Sequence, residues 1–215
     1  MKYPASAFRL YAITRHSDDL KKQVADAIAG GVTMVQIREK NCDTTERIRR
    51  AQPVLQLCRK NAVPCILNDD VEAAKQLGAD GVHLGQGDMP VAAARRLLGT
   101  EFIIGVSAHN PDEAMRAQID GADYIGCGAV FGSHTKKDAS FLPYEMLRQI
   151  SKTVQIPVVA IGGITLENAH ALQGAGIDGI AVVSALFDQQ DVTQAARDLC
   201  TLANRICIHT QEETT

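Results

Sequence analysis

The sequence predicts an α/β fold, a (β/α)8 TIM barrel that forms a single domain. Two observations predict it: short apolar segments alternate with helical segments eight times, and one glycine motif recurs among them. Apolar strands joined by helices are typical of a parallel sheet covered by helices. Eight such units in 215 residues fit the small end of the size range of this barrel. We expect residues 1–207 to form the barrel and residues 208–215 to form a polar tail.

The eight predicted strands are short, apolar and rich in β-branched residues. In chain order they are RLYAIT, TMVQIRE, VPCILN, GVHLG, FIIGVSA, YIGCGAVF, IPVVAIGG and GIAVVSALF. The segments between and after them repeat apolar residues every three or four positions, which indicates helices. These segments are LKKQVADAIAGG, TERIRRAQPVLQLCRKN, VEAAKQLGA, PVAAARRLLG, PDEAMRAQIDG, PYEMLRQISKTV, LENAHALQGAG and VTQAARDLCTLANRI.

A glycine motif precedes each even-numbered strand. It reads GGV from Gly30, GADGV from Gly78, GADYI from Gly121 and GIDGI from Gly176. Glycine readily ends a helix because it tolerates a positive φ angle. The pattern has two explanations, a fourfold repeat of the chain or the general preference of helix–strand turns for glycine. Both support the count of eight strands.

Composition and charge exclude several classes of protein. The formal net charge is −3, without a block of like charge, which argues against bulk attraction to nucleic acid or to an anionic membrane. No apolar run approaches the ~18 residues of a spanning helix, and the N-terminal residues lack the apolar centre of a signal peptide. We expect a cytoplasmic protein, a possible homo-oligomer, whose six cysteines are free and mostly buried thiols.

Polar residues at the C-terminal ends of the strands mark the expected active site, because barrels of this kind place their active sites there. The cations Arg38, Lys40 and Lys136 share this rim with the carboxylates of Asp69 and Asp88. Such a mixture suits a hard divalent cation bound with a multiply charged anion, and Mg2+ prefers one or two carboxylates. The strand ends carry no cluster of His or Cys that would suit Zn2+.

A second anion site is predicted at the ends of strands seven and eight. Gly162 and Gly163 end strand seven, and Val183 and Ser184 follow strand eight. Barrels commonly bind phosphate through these two loops, and glycine permits the close approach of a backbone N–H group. A rim that holds two anions indicates an enzyme that joins two phosphorylated small molecules.

Six motifs between residues 9 and 187 resemble, in order, those of the thiamine-phosphate synthase family. They are VQIREK, NDDVEAAKQLGADGVHLGQGD, IGVSAHN, GADYIGCGAVFGSHTKKDA, IPVVAIGGI and GIAVVSAL. The resemblance implies a transferase, with one Mg2+ per subunit, that joins hydroxymethylpyrimidine diphosphate to a thiazole phosphate. Thiamine phosphate and diphosphate would be the products.

The resemblance also implies roles for residues at matching positions. Asp69 and Asp88 match the family's two Mg2+ ligands, and Asn68 matches an amide that binds diphosphate. The implied catalytic set is Arg38, Lys40, Ser107 and Lys136. The implied substrate-binding set is Gln36, Ile37, Arg38, Glu39, Lys40, Asn68, Ser107, Ser133, His134, Thr135, Lys136, Gly163, Val183 and Ser184.

The loop after strand six departs from the family pattern. The family usually has Pro-Thr-x-Thr-Lys there, whereas this chain has GSHTK at residues 132–136. Serine keeps a hydroxyl group and glycine loosens the backbone, so the departure concerns the closure of the loop more than the reaction.

The segment CILNDD has two interpretations at its acidic end. In the first, Asp69 binds Mg2+ and Asp70 caps the helix that starts near Val71. In the second, Asp69 is the cap and Glu72 completes a capping box.

Three other residues also have two interpretations. His83 is expected to be a packed barrel residue rather than a ligand, and Cys127 is expected to be a core residue. Glu39 is either a substrate contact or a solvated residue of the rim.

The implied mechanism is dissociative substitution. Cations stabilise the charge that grows on departing diphosphate, the aminopyrimidine carries a transient cation, and the thiazole nitrogen captures it, so no protein nucleophile is needed. Two other functions stay open. A thiazole tautomerase uses the same barrel with a His at the end of strand six, where this chain has GCGAVF. A phosphate-binding sensor would not need to stabilise a leaving group.

Overall fold

Eight parallel strands close into a barrel in which β1 pairs with both β2 and β8. The computed structural model describes residues 4–40, 42–132 and 141–207. The prediction of a single-domain (β/α)8 barrel is confirmed. The strands are β1 (Leu10–Ile13), β2 (Met34–Ile37), β3 (Cys65–Asn68), β4 (Gly81–Leu84), β5 (Ile103–Ala108), β6 (Tyr124–Cys127), β7 (Val158–Ile161) and β8 (Gly179–Val182).

Helices surround the barrel; the first six connect consecutive strands, and the last two follow β8. They are α1 (Leu20–Ala29), α2 (Thr44–Lys60), α3 (Val71–Leu77), α4 (Val91–Leu98), α5 (Pro111–Ile119), α6 (Tyr144–Thr153), α7 (Ser184–Phe187) and α8 (Val192–Ile206). Short 3-10 helices at Ala5–Phe8 and Ala169–Leu172 complete the fold. In the described ranges, no helix combines the length and the apolar character needed to cross a membrane.

The last two units differ from their predicted structure. The segment LENAHALQGAG forms one 3-10 turn instead of an α-helix, and Gly174 and Gly176 after it have φ angles of 81° and 76°, which end any helix. The predicted strand GIAVVSALF ends at Val182. Val183 has a ψ angle of −80° and leaves the extended conformation, so the last four residues of the segment form α7.

Side-chain alternation along the strands divides the apolar core into two layers. The larger layer lies between the strands and the helices. The smaller layer fills the barrel toward the N-terminal ends of the strands. Phe8 closes that end, and the centroid of its ring lies 4.9 Å from that of Tyr124. The upper part of the barrel is therefore left for a pocket. The inner layer consists of Phe8, Tyr11, Ile13, Met34, Ile66, Ile103, Tyr124, Val159 and Ala181.

The recurring motif before the even-numbered strands has one shared geometry. The residue directly before each even-numbered strand bonds twice with a residue at or near the start of the preceding strand. Before β8, the backbone N–H of Asp178 donates to the carbonyl of Val158 and its carboxylate accepts the N–H of Val158, both at 2.8 Å. This regularity supports a fourfold repeat over a simple turn preference. The equivalent pairs are Thr33–Leu10, Asp80–Cys65 and Asp123–Ile104, with distances of 2.7 to 3.0 Å.

We expect Asp178→Ala to lower the free energy of unfolding by about 2–3 kcal/mol, because the buried N–H of Val158 would lose its acceptor. Asp178→Asn keeps an acceptor oxygen and should lose less. Urea unfolding followed by circular dichroism measures both variants. Equal losses in the two would show that this hydrogen bond does not account for the effect.

Candidate active site

A pocket opens at the C-terminal ends of the strands, above the inner apolar layer. It is a concave site with a mostly apolar interior and an open mouth, as is typical of sites for small molecules. All eight strands or the residues directly after them contribute to its walls. The predicted site residues that line it are Gln36, Arg38, Asn68, Ser107, Gly163, Val183 and Ser184.

Charged groups from β2, β3 and β4 meet at one side of the mouth. Burial raises the pKa of Asp69, and the adjacent carboxylate of Asp88 raises it further, while Lys40 and Arg38 act in the opposite direction. Burial lowers the pKa of half-buried Arg38, and Asp69 partly offsets that effect. The structure therefore brings together these two cations and two carboxylates, which follow three different strands.

The turn after β3 directs Asp69 toward this group. Its φ angle is +65°, which is uncommon for a residue with a side chain, and the N–H of Asp70 donates to the carbonyl of Asn68 at 2.8 Å. Asp70 is the N-cap of α3 and accepts the N–H of Ala73 at 2.8 Å. The cap at Asp70 is confirmed, and the alternative with Asp69 as the cap and Glu72 as its partner is wrong.

Two adjoining carboxylates fit a divalent cation, because a bound cation removes the repulsion that raises the pKa of Asp69. Asp88 is held in place where its Oδ2 accepts the N–H of Gly85 at 2.6 Å. In the part of the chain that the structure describes, no group of three or more His, Cys, Asp or Glu side chains could hold a metal. A pair of carboxylates suits Mg2+, which keeps several waters and binds substrate phosphates.

Ile37 departs from its predicted role. Its side chain is fully buried in the outer apolar layer, whereas its neighbours Gln36 and Arg38 face the pocket. Alternation along a strand requires this arrangement, because successive side chains point to opposite faces. The expected contact of Ile37 with substrate is therefore limited to its backbone atoms.

Glu39 is also turned away from the pocket, and the idea that it is solvated at the rim is wrong. Its side chain is fully buried. Its Oε2 accepts from Nε of Arg50 and bonds Nδ1 of His16, both at 2.8 Å. A substrate contact by this carboxylate would require breaking the ion pair with Arg50, so only the backbone of Glu39 is available.

Four predicted site residues, Ser133, His134, Thr135 and Lys136, lie outside the described residues, as does the predicted tail at 208–215. Their roles stay predictions. The remaining predicted residue, Lys40, is exposed at the mouth, beside Asp69.

A polar network across the barrel was missed by the sequence analysis. Gln36 Nε2 donates to the hydroxyl of Tyr11 at 3.0 Å, and the hydroxyls of Tyr11 and Tyr124 lie 2.8 Å apart. His83 Nδ1 is 2.9 Å from the hydroxyl of Tyr124, and its Nε2 is 3.1 Å from Oγ of Ser107. Burial raises the pKa of both tyrosines, so each keeps its proton. His83 is therefore a pocket residue as well as a packed one.

The contacts of this network are compatible with protons that all point the same way. With Gln36 donating to Tyr11, the hydroxyl of Tyr11 can donate to Tyr124 and that of Tyr124 to Nδ1 of His83. In that arrangement Nε2 of His83 donates to Oγ of Ser107, and the hydroxyl of Ser107 can donate to a bound molecule.

Two glycines make room for this network. A Cβ atom on Gly105 would lie 2.0 Å from Cζ of Tyr124, and one on Gly126 would lie 3.1 Å from Cε1 of His83. Both glycines occupy strand positions that face the barrel interior. Glycine in these two strands therefore permits the large rings to face each other across the barrel.

The predicted phosphate loops face the same pocket. Gly162 and Gly163 have φ angles of 103° and 66°, and a Cβ atom on Gly163 would lie 2.7 Å from the carbonyl oxygen of Gly132. Val183 and Ser184 follow the adjacent strand β8 and also line the pocket. Glycine is required here by backbone geometry, and the binding of phosphate at these loops stays a prediction.

The cysteines behave as expected for buried thiols. Four of the six are buried, and the remaining two, Cys42 and Cys200, are partly buried. Burial raises the pKa of Cys127 to about 12, so this core residue is a neutral thiol and not a nucleophile.

Together, the fold and the site are typical of a barrel enzyme that acts on phosphorylated small molecules, with cations and paired carboxylates on one side of its rim. Its sequence matches the model of one family, described as thiamine monophosphate synthase, over residues 10–186. The chain belongs to that family.

Individual relatives agree with the family. The chain is 46% identical over 193 residues to a thiamine-phosphate synthase from Methanobrevibacter smithii, covering 88% of this chain and 92% of the relative. It is 48% identical over 202 residues to one from Chloroflexus aurantiacus, covering 92% and 93%. The structure of a thiamine phosphate pyrophosphorylase from Pyrococcus furiosus superimposes with a TM-score of 0.86 at 37% identity, covering 94% of this chain and 98% of that one. The predicted family is confirmed.

Proposed function

We propose that this chain is a transferase of thiamine biosynthesis that joins hydroxymethylpyrimidine diphosphate to a thiazole phosphate and releases thiamine phosphate and diphosphate. One observation carries the proposal beyond family membership: two cations and two carboxylates meet at the mouth of the pocket. They are Arg38, Lys40, Asp69 and Asp88.

Diphosphate binds at the charged side of the mouth. Arg38 is held in part by its backbone, whose N–H donates to the hydroxyl of Thr14 at 3.0 Å, and its guanidinium faces Asp69. Asn68 adds an amide at the pocket wall, and Lys40 adds a second cation beside Asp69. A Mg2+ ion held by Asp69 and Asp88, one per subunit, would supply further charge stabilisation for the leaving diphosphate. Lys136 is proposed as a third cation.

The pyrimidine occupies the inner part of the pocket. Gln36 and Ser107 stand at the two ends of the polar network, and His83 and the two tyrosines fix their orientation. Each end can bond a heteroatom of the ring, while apolar side chains from β7 and β8 enclose its faces. The ring is thus held with its methylene carbon toward the charged mouth.

The reaction is a substitution at that methylene carbon. The carbon–oxygen bond to diphosphate breaks and its electron pair leaves with diphosphate, whose growing charge Arg38 and Lys40 stabilise. The electron-rich aminopyrimidine carries the transient cation, and the lone pair of the thiazole nitrogen forms the new carbon–nitrogen bond. Positioning of both partners in one pocket supplies the entropic part of the acceleration.

The thiazole phosphate binds at the loops after β7 and β8, through backbone N–H groups of Gly163, Val183 and Ser184. We therefore expect Ser184→Ala to change kcat/KM for the thiazole phosphate by less than about threefold, because the backbone N–H is unchanged by the substitution. Steady-state kinetics with the thiazole phosphate varied measure this. A loss of about 100-fold would show that the hydroxyl of Ser184 is the phosphate ligand.

The thiazole tautomerase alternative is disfavoured by strand β6. A tautomerase would need a proton-transfer histidine at the end of this strand, where the chain has GCGAVF at residues 126–131. The charged mouth has no role in an isomerisation that releases no diphosphate.

The cytoplasmic location of the protein and its formation of a homo-oligomer stay predictions.

A two-substrate assay tests the proposed function. Diphosphate release is expected only when the pyrimidine diphosphate, the thiazole phosphate and Mg2+ are all present, and chelation with EDTA should abolish it. Excess Mg2+ should restore it. Release of no diphosphate with all three components present would reject the proposal, and release without Mg2+ would reject the metal's role.

A further inference from the structure

Two arginines of α2, one turn apart, reach from the outside of the barrel to three loops of the rim. They are Arg47 and Arg50, and their side chains are only 18% and 14% exposed. Neither is among the described residues that line the pocket. Buried guanidinium groups require several hydrogen-bond partners, and the identity of those partners indicates what the arginines do.

Arg47 bridges the loop after β2 and the loop after β3. Its Nε donates to the carbonyl of Glu39 at 3.3 Å, and its Nη2 donates to the carbonyl of Cys42 at 3.1 Å. Its Nη1 forms an ion pair with the carboxylate of Asp70, which also accepts from Oγ1 of Thr44 at 3.1 Å. One planar guanidinium thus fixes the distance between the two loops.

The two loops carry the two halves of the charged mouth. The first contains Arg38 and Lys40 on either side of Glu39, and the second contains Asp69 directly before Asp70. Asp69 is held in a backbone conformation with positive φ, which is uncommon for a residue with a side chain and persists where the surroundings enforce it. Arg47 holds the residue that follows this strained position.

Arg50 secures the first loop from the other side. Its Nε donates to the buried carboxylate of Glu39 at 2.8 Å, and its Nη2 donates to the carbonyl of Ser17 in the loop after β1 at 2.6 Å. The segment 38–40 is therefore held by the carboxylate of Glu39 through Arg50 and by the carbonyl of Glu39 through Arg47. The backbone positions of Arg38 and Lys40, on either side of Glu39, are therefore fixed as well.

We propose that Arg47 is a positioning residue for the reaction: it sets the alignment of the Arg38–Lys40 segment with Asp69, and so the geometry of the Mg2+–diphosphate site. The inference rests on the proposed function, because it assigns that site to the charged mouth. Arg47 touches neither substrate in this account. Its effect should therefore be confined to the diphosphate half of the pocket, on β2 to β4, and absent from the loops after β7 and β8.

Arg47→Met tests this, because methionine retains an unbranched apolar stem and loses all three donors. Titration calorimetry with Mg2+ and inorganic diphosphate should show affinity weakened by about 10- to 100-fold, as for groups that orient metal ligands. In kinetics, KM for the pyrimidine diphosphate and the Mg2+ requirement should rise. KM for the thiazole phosphate should stay within about twofold. Arg47→Lys, which restores one charge but not the planar fork, should recover part of the affinity and serves if the methionine variant does not fold.

Arg95→Met is the matched control. Arg95 is 20% exposed, bonds the carbonyls of Gly99, Phe102 and Gly121, and pairs with Asp123 at the opposite end of the barrel. Its loss should lower thermal stability and leave diphosphate affinity unchanged. Wild-type diphosphate affinity in Arg47→Met, an equal affinity loss in Arg95→Met, or a matching rise in KM for the thiazole phosphate would each overturn the inference. Failure of the wild-type protein to release diphosphate would reject the proposed function instead, and the calorimetric comparison would still decide the role of Arg47.

Discussion

Asp69→Asn is expected to lower kcat by about 10²- to 10³-fold with little change in stability. The substitution removes a charge from the cation site and almost no volume. Asparagine tolerates the positive φ angle of this position better than most residues, and the cap of α3 is supplied by Asp70. The turn should therefore survive, so that the loss of activity reports on the charge alone. Steady-state kinetics at saturating Mg2+ and thermal unfolding measure the two effects.

Asp43→Asn is the control for Asp69→Asn. Asp43 caps α2 by accepting the N–H of Glu46 at 2.8 Å, and asparagine caps a helix equally well. This variant makes the same chemical change at an exposed position away from the pocket, and its activity should match that of the wild type. Full activity in Asp69→Asn would show that this carboxylate does not take part in the reaction.

Gly105→Ala is expected to lower the free energy of unfolding by about 3 kcal/mol. The added methyl would lie 2.0 Å from Cζ and 2.3 Å from the hydroxyl of Tyr124, so the ring must move. Tyr124 is fully buried against Phe8 and bonds both Tyr11 and His83, and it has no room to move without breaking these contacts. Urea unfolding measures the loss of stability.

Gly87→Ala is the control for Gly105→Ala, since a Cβ atom there meets no atom within 4 Å. Its free energy of unfolding should stay within about 0.5 kcal/mol of the wild type. If Gly105→Ala were as stable as Gly87→Ala, the packing of Tyr124 that we describe would be wrong.

The fold could be predicted because period and composition act on each element separately. Buried parallel strands such as VPCILN are apolar on both faces, which identifies them without knowledge of their neighbours. The predicted seventh helix, LENAHALQGAG, shows the limit of this kind of prediction. Apolar spacing of three or four residues fits both a 3-10 turn and an α-helix, and the glycines at 174 and 176 decided between them.

The charged part of the site could be predicted because it follows from one rule, that polar residues after barrel strands gather at one rim. Arg38, Asp69 and Asp88 obey it. The polar contacts of His83 and the two tyrosines were missed because these residues lie inside strands, where a polar residue is usually interpreted as part of the packed core. The alternation in GVHLG, with Val82 and Leu84 facing the helices, was the signal that His83 faces inward.

Glu39 could not be placed from the sequence. It adjoins two exposed or half-exposed cations, and nothing local indicates burial. Its partners are His16 and Arg50, which belong to other elements and meet it only in the closed barrel. A buried carboxylate depends on such distant partners, because an unpaired charge inside the protein would be too costly.

A crystal structure with Mn2+ in place of Mg2+ and with diphosphate tests the central claim most directly. The account predicts one anomalous peak in each subunit, bound by carboxylate oxygens of residues 69 and 88 and by diphosphate, with Arg38 on the opposite side of the anion. An ion found elsewhere, with these two aspartates left unliganded, would contradict it.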